Sequence, residues 1–301
     1  MRLTILGCFS ATPRTHTNPT AQVLDIKNHL FLIDCAEGTQ VELRRNKIKF
    51  ARIKHIFISH LHGDHYFGLV GLISTFRLLT READLHIYGP KGLKEIITLQ
   101  MKLSESWTNY KLIFHELTSK ESELIYEDDK VEVHTIPLNH RIYTNGFLFK
   151  EKDNERKLNV TAAETAKIDV AYYRKLKQGF DVINTEGELI KNETVTFDGK
   201  KPMSYAFCSD TMYHEPIIPI IKDVSVLYHE STFLNKNEKL AKPTKHSTAV
   251  QAATIAKKAN ASTLILGHYS TRYDDLNEFI VEANTVFDNV ELAEDGKVFE
   301  F

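Results

Sequence analysis

His55-Ile56-Phe57-Ile58-Ser59-His60-Leu61-His62-Gly63-Asp64-His65 is an apolar run that ends in four metal-competent side chains. The run reads as a buried strand. Behind it the pattern changes. His60 and His62 lie on one side of an extended turn, Gly63 allows a tight bend, and Asp64 and His65 open a helix. Imidazole and carboxylate together form a donor set suited to zinc, with a coordination position left for water. A bare helix N-terminus repels a cation, so a carboxylate at Asp64 also corrects the local electrostatics.

The same register recurs along the chain. Val133-His134-Thr135-Ile136-Pro137 leads to His140, and Tyr205-Ala206-Phe207-Cys208-Ser209 leads to Asp210. Val224–Tyr228 leads to His229-Glu230, and the run from Thr263 to Gly267 leads to His268. Strands lying side by side deliver the residues after their carboxyl ends to one edge of a sheet, where sites in α/β folds form. Donors far apart in sequence are therefore expected to cluster in space. His16, His29, His55, His86, His115, His134 and His214 lack this context and read as surface or core residues.

Further apolar runs read as strands: Leu3–Leu6, Ala21–Ile26, Leu30–Ile33, Leu85–Tyr88, Val131–Ile136 and Phe147–Phe149. Lys27-Asn28-His29 is a hairpin turn between two of them. Helical spacing appears at about 64–79, 91–103, 247–259 and 274–286, with Ser247 or Thr248 as the N-cap of the third. Strands alternate with helices, so the class is α/β, with layered sheets and helices outside. The stretch from about 150 to 201 breaks this rhythm. It has little strand pattern, and within 150–179 eight Lys or Arg face five acids, a local excess of +3. It reads as an inserted, protruding arm on a single domain spanning 1–301.

The chain has 301 residues, 42% hydrophobic and 26% charged, which is ordinary for a globular protein with a substantial core. No apolar run reaches the ~18–20 residues a bilayer span requires, and Met1–Gly7 turns polar too quickly for a signal peptide. A net charge of −2 gives no global attraction for nucleic acid, so RNA binding would need a local patch. Three cysteines, Cys8, Cys35 and Cys208, without a CxxC spacing read as small buried residues of a reducing cytoplasm.

With these residues in view, the chain resembles the ribonuclease Z family of the metallo-β-lactamase superfamily along nearly its whole length. The resemblance starts with Leu6-Gly7 and Ser10-Ala11-Thr12-Pro13. It continues through Ile33-Asp34-Cys35-Ala36-Glu37-Gly38-Thr39-Gln40, Ser59–His65, Leu138-Asn139-His140 and Cys208-Ser209-Asp210-Thr211. It ends with His229-Glu230-Ser231-Thr232, His246-Ser247-Thr248 and Gly267-His268-Tyr269-Ser270-Thr271-Arg272-Tyr273. The metal motif marks only the superfamily; the 34–40 stretch and the last three motifs are closer to ribonuclease Z.

The resemblance implies a four-layer αβ/βα fold and two Zn2+ per subunit, with Mn2+ or another divalent ion as an alternative. One ion would sit on His60, His62, His140 and Asp210. The other would sit on Asp64, His65, His268 and the same Asp210, with Asp64 also working on the attacking water. It implies a cytoplasmic endoribonuclease that removes the 3′ trailer of precursor tRNA, acting as a homodimer. His246 paired with Glu230 is the expected proton donor to the leaving 3′-oxygen, Asp34 the residue orienting a ligand histidine, and Arg272 a phosphate contact. In the arm, Arg174, Lys175 and Lys177 beside Tyr172 and Tyr173 suit an RNA backbone. The Gly/Pro-rich tip common in that family is absent here. Two alternatives stay open: a two-metal hydrolase of small phosphodiesters or sulfate esters, and a non-catalytic RNA-binding protein.

Overall fold

Side-chain alternation builds the first sheet. The computed structural model describes residues 1–12 and 14–301, so Pro13 lies outside the described residues. The strands are β1 (Arg2–Gly7), β2 (Ala21–Ile26), β3 (His29–Ile33), β4 (Ile53–Phe57), β5 (Leu85–Pro90), β6 (Leu112–Leu117), β7 (Leu124–Glu127), β8 (Val131–Pro137) and β9 (Asn145–Glu151). They continue with β10 (Lys157–Leu158), β11 (Val182–Ile183), β12 (Leu189–Ile190), β13 (Thr196–Phe197), β14 (Ser204–Cys208), β15 (Val226–Glu230), β16 (Thr263–Gly267), β17 (Val290–Leu292) and β18 (Val298–Glu300). One seven-stranded sheet runs β18-β1-β2-β3-β4-β5-β6, and a second runs β17-β16-β15-β14-β9-β8-β7.

The two sheets share one core. Leu24, Ile26, Phe31, Ile33 and Phe57 of the first sheet pack with Val133, Phe147, Phe149, Tyr205 and Phe207 of the second. Their odd-step neighbours Val23, Leu30, Leu32 and Ile56 face the other way. There they meet Leu43, Leu72, Ile73, Phe76 and Ile97 from the helices Thr39–Arg45, Leu69–Leu78 and Leu93–Leu103. A period of two residues puts alternate side chains on opposite faces, so one strand supplies both layers. The Ala-rich helix Ala249–Lys258 covers the second sheet through Ala252, Ala253 and Ala256, whose small side chains allow close approach. Its N-cap is Thr248, in a reciprocal capping box with Gln251.

The pattern expected as one helix over 64–79 is two, Gly63–Tyr66 and Leu69–Leu78. The cause is a crossing chain: the Gly68 amide donates to Cys35 O at 2.9 Å, and a Cβ at Gly68 would lie 2.0 Å from Ala36 O. The Lys27-Asn28 turn has both residues in the left-handed region (φ 51° and 70°), as a tight hairpin demands. All three cysteines are buried and free.

Residues Glu151–Met203 form a second compact unit. It holds the two-stranded pairs β10-β13 and β11-β12, where sequence gave little strand pattern, and short helices at Val160–Thr165, Tyr173–Lys177 and Asn192–Val195. Its own small core is Ala163, Ile168, Leu176, Val182 and Val195. Strands of two residues are too short to show alternation, which is why periodicity misses them. Among the described residues, no helix is long and apolar enough to cross a membrane.

Candidate metal centre

Parallel pairing sets the site. β3 and β4 are parallel in the first sheet, and β14, β15 and β16 are parallel in the second. The chain therefore leaves Asp34, the 59–65 segment, Asp210, Glu230 and His268 at the carboxyl ends of their strands, and His140 follows β8. Asp34, Asp210 and His268 all take left-handed backbone (φ 56°, 61° and 58°), which folds each side chain back toward the site. Such conformations cost about 1–3 kcal/mol each and persist where the surroundings over-determine them.

Seven predicted donors come together. His60 Nε2 lies 3.0 Å from His62 Nδ1, and His140 Nε2 lies 3.3 Å from the same atom. His65 Nε2 and His268 Nε2 lie 3.5 Å and 3.7 Å from Asp64 Oδ2. Asp210 stands between the two groups. Its Oδ2 is 2.8 Å from His65 Nε2 and 3.3 Å from His268 Nε2, while its Oδ1 is 3.8 Å from His140 Nε2. Within each of the sets His60-His62-His140, His60-His65-Asp210 and Asp64-His65-His268, all donor atoms fall within 4.8 Å of one another.

The surrounding hydrogen bonds decide what each imidazole presents. Lys245 O can only accept, so His140 Nδ1 donates to it at 3.1 Å and leaves Nε2 a bare lone pair. Ser59 Oγ donates to Asp34 Oδ2 (2.9 Å), so it accepts from His60 Nδ1 (3.0 Å). Thr232 Oγ1 donates to Glu230 Oε2 (2.6 Å) and accepts from His268 Nδ1 (2.9 Å). His65 Nδ1 donates to Asp34 Oδ2 at 2.7 Å. Burial holds His60 well below the ordinary imidazole range and His140 at about 4, so both are neutral at neutral pH.

This donor set fits a divalent cation. His65 Nε2 and His268 Nε2 are buried and make no hydrogen bond despite their closeness to Asp210. Burial pulls His65 down, but Asp210, Asp34 and Asp64 outweigh it and push it up. The spot demands positive charge, which either a proton or a cation satisfies.

Glu230 and His246 form the next layer. Glu230 is fully buried and receives the amides of Thr211 (2.8 Å) and Ser247 (3.1 Å), the Thr232 hydroxyl, and His246 Nδ1 at 2.8 Å. Burial disfavours charge on His246, but Glu230 and then Asp210 outweigh it and hold the imidazole up at about 9. Burial would likewise raise Glu230, and His246 holds it below its ordinary value. His246 is also 3.7 Å from Asp210 Oδ1.

Other predicted residues fall elsewhere. The Arg272 guanidinium lies over the Phe233 ring at 5.1 Å, and that ring meets His246 edge-on at 6.3 Å. Arg174, Lys175 and Lys177 are exposed within the 151–203 unit. Lys175 lies over Tyr172, while Arg174 and Lys177 line a cavity of about 820 Å³ with Arg156, Lys157 and Tyr173. His229 is buried beside the site, yet its Nδ1 donates to Glu230 O (2.8 Å) and it joins none of the donor sets. His16 is exposed and joins none either.

Sequence reasoning assigned no role to Ser59, Thr232 or Lys245. Ser59 and Thr232 stand inside the quoted motifs, so a hydroxyl next to a ligand was the available signal. Lys245 carries no such signal. Its left-handed backbone (φ 56°) turns its carbonyl to His140, and its Nζ ties Asn139 Oδ1 and His140 O at 3.1 Å each.

Residues 1–195 match a family model described as anti-Pycsar protein Apyc1. A ribonuclease Z of Bacteroides thetaiotaomicron is 46% identical, over 98% of this chain and 93% of its own length. One from Cytophaga hutchinsonii is also 46% identical, over 99% of this chain and 95% of its own. Among solved structures, human tRNase Z, short form, superposes with a TM-score of 0.71 at 27% identity, covering 100% of this chain and 99% of its own. The metallo-β-lactamase fold protein YhfI of Bacillus subtilis gives 0.70 at 17% identity, over 99% of this chain and 98% of its own, a likeness of fold.

Proposed function

The chain belongs to the ribonuclease Z family and, over residues 1–195, to the Apyc1 family as well, and on that premise we propose that it is a metal-dependent endoribonuclease of precursor tRNA. It hydrolyses the phosphodiester at the 3′ trailer, leaving a 3′-hydroxyl on the tRNA and a 5′-phosphate on the trailer. The observation that carries the reading is the convergence of seven donor residues, four of which (His60, His65, His140 and His268) have an oxygen on Nδ1 that leaves Nε2 facing inward.

His60, His62, His140 and Asp210 would hold one ion; Asp64, His65, His268 and the shared Asp210 would hold the second. Zinc suits this imidazole-carboxylate set, and Mn2+ is the alternative. Bound there, a divalent pair supplies Lewis acidity to phosphate oxygens and to water. The chain's own groups do the rest. Asp64, the most accessible carboxylate of the cluster, accepts a hydrogen from the attacking water and aims it. His246 gives a proton to the departing ribose 3′-oxygen, and Glu230 holds its ring and favours its charged form. Asp34 and Thr232 fix the rings of His65 and His268.

Arg272 and the basic residues Arg174, Lys175 and Lys177 serve as phosphate contacts; affinity for RNA then falls as salt rises. The assembly is a homodimer, for which exposed Leu78, Leu99, Leu103 and Trp107 offer apolar surface.

The test is incubation of the full chain with a precursor tRNA bearing a 3′ trailer, with divalent metal or with chelator, followed by mapping of both product ends. Cleavage that chelator removes, with a 3′-hydroxyl on the tRNA, is expected. Chelator-insensitive cutting, or a 3′-phosphate product, would count against the reading.

A further inference from the structure

Two cavities border the metal centre, and they share no lining residue. One, of about 540 Å³, is lined by Met212, Tyr213, Lys239, Lys242, Pro243 and His246, among others. The other, of about 470 Å³, is lined by Arg14, Gly63, Asp64 and Phe67, among others. Both volumes lie within the ~300–1,000 Å³ typical of small-molecule pockets.

The walls of the first cavity are the segment after Asp210 and the helix Glu238–Thr244 that leads to His246. Met212 is two residues beyond Asp210, and its amide donates to Asn139 O at 3.1 Å, beside His140. Lys242 and Pro243 close the helix Glu238–Thr244 just before His246. The Tyr213 ring is held in place: its hydroxyl donates to Glu215 Oε1 at 2.6 Å and accepts from Lys258 Nζ at 3.1 Å. Met212, Tyr213 and Pro243 offer apolar faces, and the exposed Lys239 and Lys242 outnumber the one acid of the lining, Glu238, which accepts from Gln251 at 3.2 Å. Flat apolar faces with lysines beside them match a nucleobase joined to a phosphate chain.

We propose that this cavity binds the nucleoside on the retained side of the scissile bond, the last nucleotide of the tRNA body. The assignment rests on the endoribonuclease reading above and adds the direction in which the strand lies. In an in-line displacement the nucleophile and the leaving oxygen stand on opposite sides of phosphorus. Asp64 borders one cavity and His246 the other. The leaving 3′-oxygen belongs to the ribose of the retained nucleotide, so a proton donor at that oxygen is one sugar ring from its base. The base beside His246 is therefore the retained one, and the cavity at Asp64 lies on the water side.

The test is a cycle on the metal-loaded full chain. Wild type, Tyr213→Ala and Met212→Ala are compared on three precursor tRNAs: intact, abasic at the last retained nucleotide, and abasic at the first trailer nucleotide. With intact RNA each variant loses about tenfold in kcat/KM, in the range of one lost base contact. The loss shrinks to about twofold or less when the retained base is missing and persists when the trailer base is missing. An equal penalty on all three RNAs overturns the proposal, and so does a penalty that vanishes only with the abasic trailer. Unchanged melting temperatures exclude misfolding as the source of an equal penalty. If wild type cuts precursor tRNA and neither variant loses activity, the pocket assignment falls alone. If wild type cuts none of the three, the endoribonuclease reading falls with it.

Discussion

Two groups of histidines sit on the same sandwich and have opposite fates. At the strand ends, His60, His65, His140 and His268 each have a fixed oxygen on Nδ1 and an Nε2 aimed at the others. On the first sheet, His55, His86 and His115 stand on β4, β5 and β6 in a row of stacked rings, while His29 on β3 stacks on Phe31 and meets Asp128 at 2.8 Å. His55 and His86 lie 5.0 Å apart, His86 and His115 5.3 Å, and Tyr88 lies over His115 at 4.2 Å. Here imidazole pairs with imidazole, as in His86 Nδ1 to His115 Nε2 at 3.0 Å. Burial first, then the neighbouring His86, His29 and His115, lower His55 to about 3. Residue type is therefore a poor guide to what a histidine does. Buried carboxylates and hydroxyls orient one group toward a shared centre, while aromatic rings surround His55, His86 and His115 in the other.

The largest effect that would break this contrast comes from Asp210, which faces both donor groups. Asp210→Ala should lower precursor cleavage by on the order of 10³-fold and reduce bound metal, measured by kinetics and elemental analysis. Activity within tenfold of wild type would end the shared-carboxylate picture. A smaller effect is expected one layer out. Asp34→Ala frees the His65 ring, and divalent-metal affinity should fall about 10–100-fold in a competition against a chelator. An unchanged affinity would mean that the outer hydrogen bond does not set the donor.

The smallest effect belongs to the stack. The His55 value is depressed in the folded protein, so the unfolded chain binds the extra proton between its ordinary pH of 6.5 and about 3. Stability is complete above 6.5 and is lost as pH falls toward 3, at no more than about 1.4 kcal/mol per pH unit. His55→Phe should keep cleavage activity while flattening that acid limb, read from urea midpoints at several pH values. Steeper acid loss in the variant, or lost activity at neutral pH, would break the contrast between the two groups.

Much of the site was legible because the chemistry sits on a simple register. Taken alone, His140 reads as a solvated loop histidine and Asp210 as a turn or helix cap; the 59–65 motif, with five apolar runs that end in donors or lead to them, is what marks both, and His268 with them. The pairing of His246 with Glu230, 16 residues apart, came from motif resemblance, since nothing in local periodicity joins a strand end to a helix start. The break at Gly68, the short strands of 151–203 and the role of Lys245 were not legible. Each depends on a chain segment crossing from elsewhere or on an element too short to show a period.

What the sequence determined by itself is the inventory: which side chains can hold a cation, and that strands lying side by side bring them to one edge. What tertiary structure alone decided is where the protons sit. His65 takes its partner from 31 residues away, His268 from 36 and His140 from 105. A histidine's tautomer follows the group that meets its other nitrogen. That group arrives only when distant loops close on one another, so no local reading of the chain can supply it.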